Sequence, residues 1–305
     1  MAIAVGLPAL LLALVFVWAA ASDTTNGTIV SSGVTRRFLI HIPKSYDRSK
    51  ATPLVISFHP AATWPALVEH VSRWDDVADA HGFIVVYPAG TGVFGGSMRG
   101  PHVFPPGAEG RVREVRFVSD LLDKLEADYD IDPDRVYANG MSNGGWMAFA
   151  LSCDLPERIA AVGIVAGAFG ADLACGATRP MPTMEFHGTA DPLAPYTGGK
   201  SPFAPRPFVS VANWIRDVAR RNHCGGDPID ARIAPRVRRI AYGDCAGGAD
   251  TILYTIEAGG HIWPGGERLP EWIVGPTTDE VDATRIMWEF FARHRRGDNG
   301  PHSNR

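Results

Sequence analysis

Residues 139–147, "NGMSNGGWM", hold Ser142 between Gly140 and Gly144 in a G-x-S-x-G frame. The frame alone is weak. A chain of 305 residues with 33 glycines produces it by accident with a probability of roughly 0.2. Its surroundings decide how it reads. "RVYANG" (135–140) runs into the serine as a short β-branched and aromatic stretch, and "NGGWMAFAL" leaves it as the opening of a helix. Strand, tight turn and helix in that order form the context in which a nucleophilic serine is held up on a sharp elbow. Gly140 and Gly144 suit such a turn because, without Cβ atoms, they let strand and helix approach closely. The helix start directs free N–H groups towards the serine, which makes the Asn143 amide a candidate oxyanion donor.

Working outward, further apolar runs read as strands: "RFLIHIP" (37–43), "PLVISF" (53–58), "FIVVYP" (83–88), "AAVGIVAG" (160–167), "PTMEFHG" (182–188) and "TILYTIEAGG" (251–260). Helical patterns lie between them. Leu67, Val71, Trp74 and Ala78 share one face, as do Val115, Val118, Leu122, Leu125 and Tyr129, and "DATRIMWEFFARH" reads as a closing helix. This alternation predicts an α/β fold, a mostly parallel sheet with helices on both faces, in one domain. Three stretches, 90–110, 193–208 and 264–279, lack either pattern. Each follows a strand, on the side where open α/β sheets bind ligands.

The composition, 46% hydrophobic and 20% charged with a formal charge of −4, fits a globular protein and gives no charge argument for nucleic acid. Arg236, Arg238 and Arg239 alternate with apolar residues and read as the solvated face of a strand or turn. Residues 1–21 are uncharged and apolar and end in Ala19-Ala20-Ala21, which predicts a secretory signal peptide with Ser22 as the first mature residue, with an uncleaved membrane anchor as the alternative for an apolar run of this length. Residues 22–296 then form the domain and 297–305 a frayed tail. Four cysteines allow three connectivities. Their order suggests Cys153 with Cys175 and Cys224 with Cys245, in an oxidising compartment. No spacing supports a metal site. Asn26-Gly27-Thr28 is a glycosylation sequon.

A serine hydroxyl needs a base to take its proton and an acid to orient that base. In a strand–elbow–helix hydrolase the chain order is serine, acid, histidine, which restricts the search to residues after 142. His261 opens "GGHIWPGG" directly after a strand, whereas His187 ends its strand ahead of any suitable loop acid. His223, His294 and His302 lie beside a cysteine, in the last helix and in the tail. Asp191, in "EFHGTADPLAPY", lies just past another strand and between Ser142 and His261. Read structurally it is a turn aspartate before Pro192. Asp172, Asp244 and Asp250 are the fallbacks.

"GMSNGGWMAFALSCDLPERIAAV", "FHGTADPLAPYTGG", "GGHIWPGG" and "DATRIMWEFFARH" together resemble the secreted polyhydroxybutyrate depolymerase and feruloyl esterase group of α/β-hydrolases, related to the first carbohydrate esterase family. The resemblance implies Ser142 as nucleophile, Asp191 as acid and His261 as base, with no cofactor, and it supports the two cysteine pairs. Where the family usually carries His-Gly after the strand at 53–58, this chain has "FHPAA". Pro60 has no N–H to give, so Ala61 becomes the expected second oxyanion donor beside Asn143. Phe94, Trp146, Tyr196 and Trp263 are candidates for an aromatic substrate wall.

The partner implied is an ester: a hydroxyalkanoate oligomer or polymer, or a feruloyl or acetyl ester on plant polysaccharide. No segment reads as an added polymer-binding domain, which favours soluble or carbohydrate-linked esters. Neither nucleic acid nor stable membrane association is expected once the signal is removed. The reading from another class is a silent secreted binding protein on the same scaffold, and its mark would be a missing triad member.

Overall fold

Five strands are buried along their whole length, which requires cover on both faces of the sheet. The computed structural model describes residues 24–92, 102–105, 107–170, 175–176, 179–201, 204 and 206–297. The expected signal peptide, Phe94 and the tail beyond Gly297 lie outside the described residues. In chain order the strands are β1 (Gly27–Ser31), β2 (Val34–His41), β3 (Thr52–Phe58), β4 (Ile84–Pro88), β5 (Thr91–Gly92), β6 (His102–Val103), β7 (Ile131–Met141), β8 (Ala161–Val165), β9 (Thr183–Gly188), β10 (Ile229–Ala234), β11 (Val237–Tyr242) and β12 (Thr251–Ile256). The helices are α1 (Pro65–Ser72), α2 (Trp74–His81), α3 (Ala108–Asp128), α4 (Asn143–Asp154), α5 (Val211–Arg221), α6 (Glu271–Val274) and α7 (Ala283–Ala292).

The main sheet runs β1-β2-β4-β3-β7-β8-β9-β12-β11-β10. Its centre, from β4 to β12, is parallel. Antiparallel pairs close both edges. On one face, side chains of α3, α4 and α5 such as Phe117, Met147 and Trp214 build an apolar cluster with Ile56, Ile164 and Leu253 of the strands. On the other, Val71, Trp74, Met287 and Phe291 of α1, α2 and α7 pack on Val55, Val85 and Phe186. The expected fold is the observed one.

The edges differ from expectation. β1 and β10, the two edge strands, are not among the expected strands, because a strand with one solvated face at a sheet edge carries few apolar residues, while β11 is the strand behind the expected solvated arginine face at 236–239. β10 is largely exposed, and Arg238 of β11 pairs with Asp230 across the ladder, as a solvated strand face does. The shared face at Leu67–Ala78 is two helices rather than one: Arg73 sits between α1 and α2 at φ 56°. Within 90–110 the chain forms the short β5–β6 pair before α3 begins. Asn26 of the sequon bonds both backbone groups of Ile40 with its side-chain amide, extending the β1–β2 edge. Both expected disulfides are present. Among the described residues, no helix is long and apolar enough to cross a membrane.

Candidate active site

The chain leaves β3 for β4 on one side and later enters β7 on β3's other side, so a crevice opens at the C-terminal ends of β3 and β7. Both "FHPAA" and Ser142 stand at this crevice. Ser142 joins β7 to α4 at φ 57° and ψ −118°, a conformation rarely adopted by residues with a side chain. Two backbone bonds hold it there: its N–H donates to Val165 O at 2.8 Å, and its carbonyl accepts from Trp146 N at 3.0 Å. A Cβ on Gly144 would overlap the carbonyls of Phe58 and His59, so only glycine lets α4 start against the end of β3.

Asn143 opens α4 with its amide in the first turn. Its side chain does what the sequence did not reveal. Oδ1 accepts from Phe104 N and Nδ2 donates to Phe104 O, both at 2.8 Å, tying residues 102–105 to the elbow. On the other side of the crevice His59 is fully buried. Gly90 N donates to its Nε2 at 3.1 Å, so the ring proton is on Nδ1, which donates to Pro60 O at 2.7 Å. The Thr63 hydroxyl donates to the same carbonyl at 2.7 Å. Pro60 is thereby fixed through its carbonyl, and the exposed Ala61 stands in the turn that follows, just before Ala62 at φ 57°.

β9 and β12 are parallel neighbours. Their ends come so close that a Cβ on Gly188 would overlap the Gly259 and Gly260 carbonyls. The loops carrying Asp191 and His261 therefore meet. His261 Nδ1 lies 2.7 Å from Asp191 Oδ2, and both side chains are almost wholly buried. A carboxylate only accepts, so the imidazole proton is on Nδ1 and the Nε2 lone pair is free to act as a base. Asp191 Oδ1 accepts from the amides of Leu193 and Ala194 at 2.8 Å each. The aspartate is thus both the turn residue and the partner of His261. Burial works against its charge, but hydrogen bonds from His187 and His261 outweigh it and hold the carboxyl well below its usual range. The His261 amide donates to Val274 O at 2.5 Å and the Gly260 amide to Pro276 O at 2.8 Å, anchoring this loop to the end of α6 and the segment that follows it.

The structure also brings in His187, which sequence reasoning set aside. Its Nε2 is 3.4 Å from Asp191 Oδ2. The expected aromatic wall fares differently. Trp146 and Trp263 are 4% and 2% exposed and belong to the two core clusters, and Trp263 Nε1 donates to Thr284 Oγ1 at 2.8 Å. Large rings with buried apolar surface on every side pack in the core rather than face a substrate. Tyr196 is half-buried, with its hydroxyl 2.9 Å from Thr255 Oγ1. Phe94 falls outside the described residues.

Comparisons with known proteins give the family and the fold. Residues 39–198 match the family described as Esterase PHB depolymerase. NocK of Nocardia uniformis subsp. tsuyamanensis is 30% identical, over 88% of this chain and 83% of its own. Feruloyl esterase B of Piromyces equi is 30% identical over 74% of this chain, which spans 42% of that longer protein. The acetyl xylan esterase of Aspergillus awamori superposes with a TM-score of 0.60 at 13% identity, covering 87% of this chain and 98% of its own, and shares the fold.

Proposed function

The chain belongs to the Esterase PHB depolymerase family and is a carboxylic ester hydrolase, and from that premise we propose that it works through an acyl-enzyme on Ser142, with His261 as base and Asp191 as its acid partner. The observation that carries this assignment is the conjunction of Ser142 at φ 57° on a strand–helix elbow with the 2.7 Å His261–Asp191 bond on neighbouring strand ends. His261 Nε2 takes the Ser142 proton as Oγ attacks the ester carbonyl. The Asn143 and Ala61 amides stabilise the oxyanion, each worth about 10²- to 10³-fold in rate. The imidazolium then protonates the leaving alcohol, and water attacks the acyl-enzyme by the same route in reverse. Asp191 stays ionised throughout and compensates the imidazolium charge.

The substrate class we favour is a hydroxyalkanoate ester, in line with the family's description. A feruloyl or acetyl ester on polysaccharide is the second reading, supported by the likeness to feruloyl esterase B over most of this chain. The two disulfides support secretion into an oxidising compartment, with residues 1–21 removed. Hydrolysis of p-nitrophenyl butyrate by the full chain against Ser142→Ala tests the mechanism. Loss of at least about 10⁴-fold in kcat is expected, and equal rates sink it. Product release from hydroxybutyrate oligomers, methyl ferulate and acetylated xylan, assayed side by side, ranks the substrates.

A further inference from the structure

β9 reads Thr-Met-Glu-Phe-His-Gly, and its alternation sends Glu185 and His187 to one face while Met184 and Phe186 enter the apolar cluster on the other. Beside Glu185 on the neighbouring strands stand Ile164 and Leu253, so a carboxyl group faces an apolar core. Such a group is expensive unless it is paired. Its pair is His187: Glu185 Oε1 lies 2.9 Å from His187 Nδ1, and both residues are almost completely buried. The other ring nitrogen, Nε2, lies 2.8 Å from Ala194 O and 3.4 Å from Asp191 Oδ2.

Proton counting follows from the partners. A carbonyl oxygen and a carboxylate only accept, so Nε2 must carry a hydrogen. One further proton is shared between Nδ1 and Glu185 Oε1. Whichever of the two holds it, the pair is neutral and its Nε2–H points at Ala194 O and Asp191. The Asp191 carboxylate is then surrounded by N–H groups on both oxygens: Leu193 and Ala194 amides at Oδ1, and His261 with His187 at Oδ2.

We propose that His187, clamped by Glu185, is a positioning residue for the hydrolytic triad: it bonds the same Asp191 oxygen as His261, orients that carboxylate, and weakens its pull on the His261 proton. The proposal rests on the assignment of Ser142, His261 and Asp191 above. Burial opposes charge on the His187 ring, but the Asp191 and Glu185 carboxylates outweigh it and raise it to about 10, so the donor is retained across the working pH range. Burial, by contrast, raises the Glu185 carboxyl, outweighing the His187 hydrogen bond that lowers it. The other groups facing the ring are the Tyr196 phenol, edge-on at 5.8 Å, and Thr255, its partner on β12.

The test replaces the pair by an apolar pair of similar volume, Glu185→Leu with His187→Phe, since such exchanges of buried ion pairs commonly leave a fold intact. With p-nitrophenyl butyrate, kcat should fall about 10- to 100-fold, the loss expected for one hydrogen bond to a charged group, with KM unchanged. The acid limb of the kcat/KM profile should move to higher pH, because a carboxylate relieved of one donor holds a proton on its remaining partner more strongly. Glu185→Gln, which can still hold the neutral ring with Nε2 protonated, should keep the wild-type limb. A folded apolar variant with wild-type kcat and limb overturns the proposal.

A measurement on the unaltered protein guards against a variant that does not fold. In ¹⁵N-histidine spectra Nε2 of His187 must remain protonated from pH 5 to 9, and a free lone pair there also overturns it. Ser142→Ala separates the two failures: if it hydrolyses like wild type, the triad assignment itself is wrong, whereas a dead Ser142→Ala beside an unaffected apolar variant removes His187 alone.

Discussion

Ser142, Gly144 and Pro60 carry the residue-scale argument. A serine at positive φ is paid for by backbone bonds on both sides of it and by the absence of a Cβ at residue 144. Gly144→Ala should therefore cost roughly 3 kcal/mol in urea unfolding, since the new methyl meets backbone carbonyls that cannot move aside. Activity should fall with it as the elbow shifts. A variant as stable as wild type would mean that β3 yields at Phe58. Pro60 was legible as a departure because a proline visibly lacks a donor. Its consequence was not legible, because only the folded chain reveals that the Pro60 carbonyl serves as acceptor for both His59 and Thr63, leaving Ala61 in the turn.

At the scale of elements, the break between α1 and α2 is instructive. Leu67, Val71, Trp74 and Ala78 are spaced as one helix would space them, and nothing at Arg73 marks a stop, since glycine is the usual residue for that left-handed conformation. The break brings Asp75 near Glu69. Burial, and after it the hydrogen bond and charge of Asp75, raise the half-buried Glu69 carboxyl to about 8. A carboxyl raised on folding binds its proton more tightly in the folded state than in the unfolded one. Its contribution to stability is therefore greatest below the unfolded value of 4.5 and is lost as pH rises through about 8. Glu69→Gln should leave the thermal midpoint less dependent on pH between these values and raise it at pH 8 to 9. A midpoint unchanged at both ends of that range would show that Glu69 is not desolvated as the structure has it. Strand β9 gives the complementary lesson: it was legible as a strand, and the facing of Glu185 and His187 follows from alternation, but Asp191, the further partner of His187, comes from the loop beyond.

On the scale of the whole molecule, two disulfides fasten peripheral segments to the sheet's helices, Cys153 at the end of α4 to Cys175 and Cys224 after α5 to Cys245 beyond β11. They bridge sequence separations of 22 and 21 residues. Each should contribute about 3 kcal/mol by restricting the unfolded chain. Replacing either pair by serines should lower stability by about that amount in urea unfolding while leaving Ser142, Asp191 and His261 in place. A loss below about 1 kcal/mol would mean that native strain offsets the gain.

The sequence by itself determined the fold class, the strand–turn–helix around Ser142, and the order of serine, aspartate and histidine at successive strand ends, because periodicity and turn chemistry are local and written in neighbouring residues. Tertiary structure alone decided which strand ends meet. It set β3 beside β7 so that "FHPAA" and Ser142 stand at one crevice, drew Trp146 and Trp263 into the core, and brought His187 to Asp191. Those outcomes depend on burial and on distances between segments far apart in the chain, which no local spacing records.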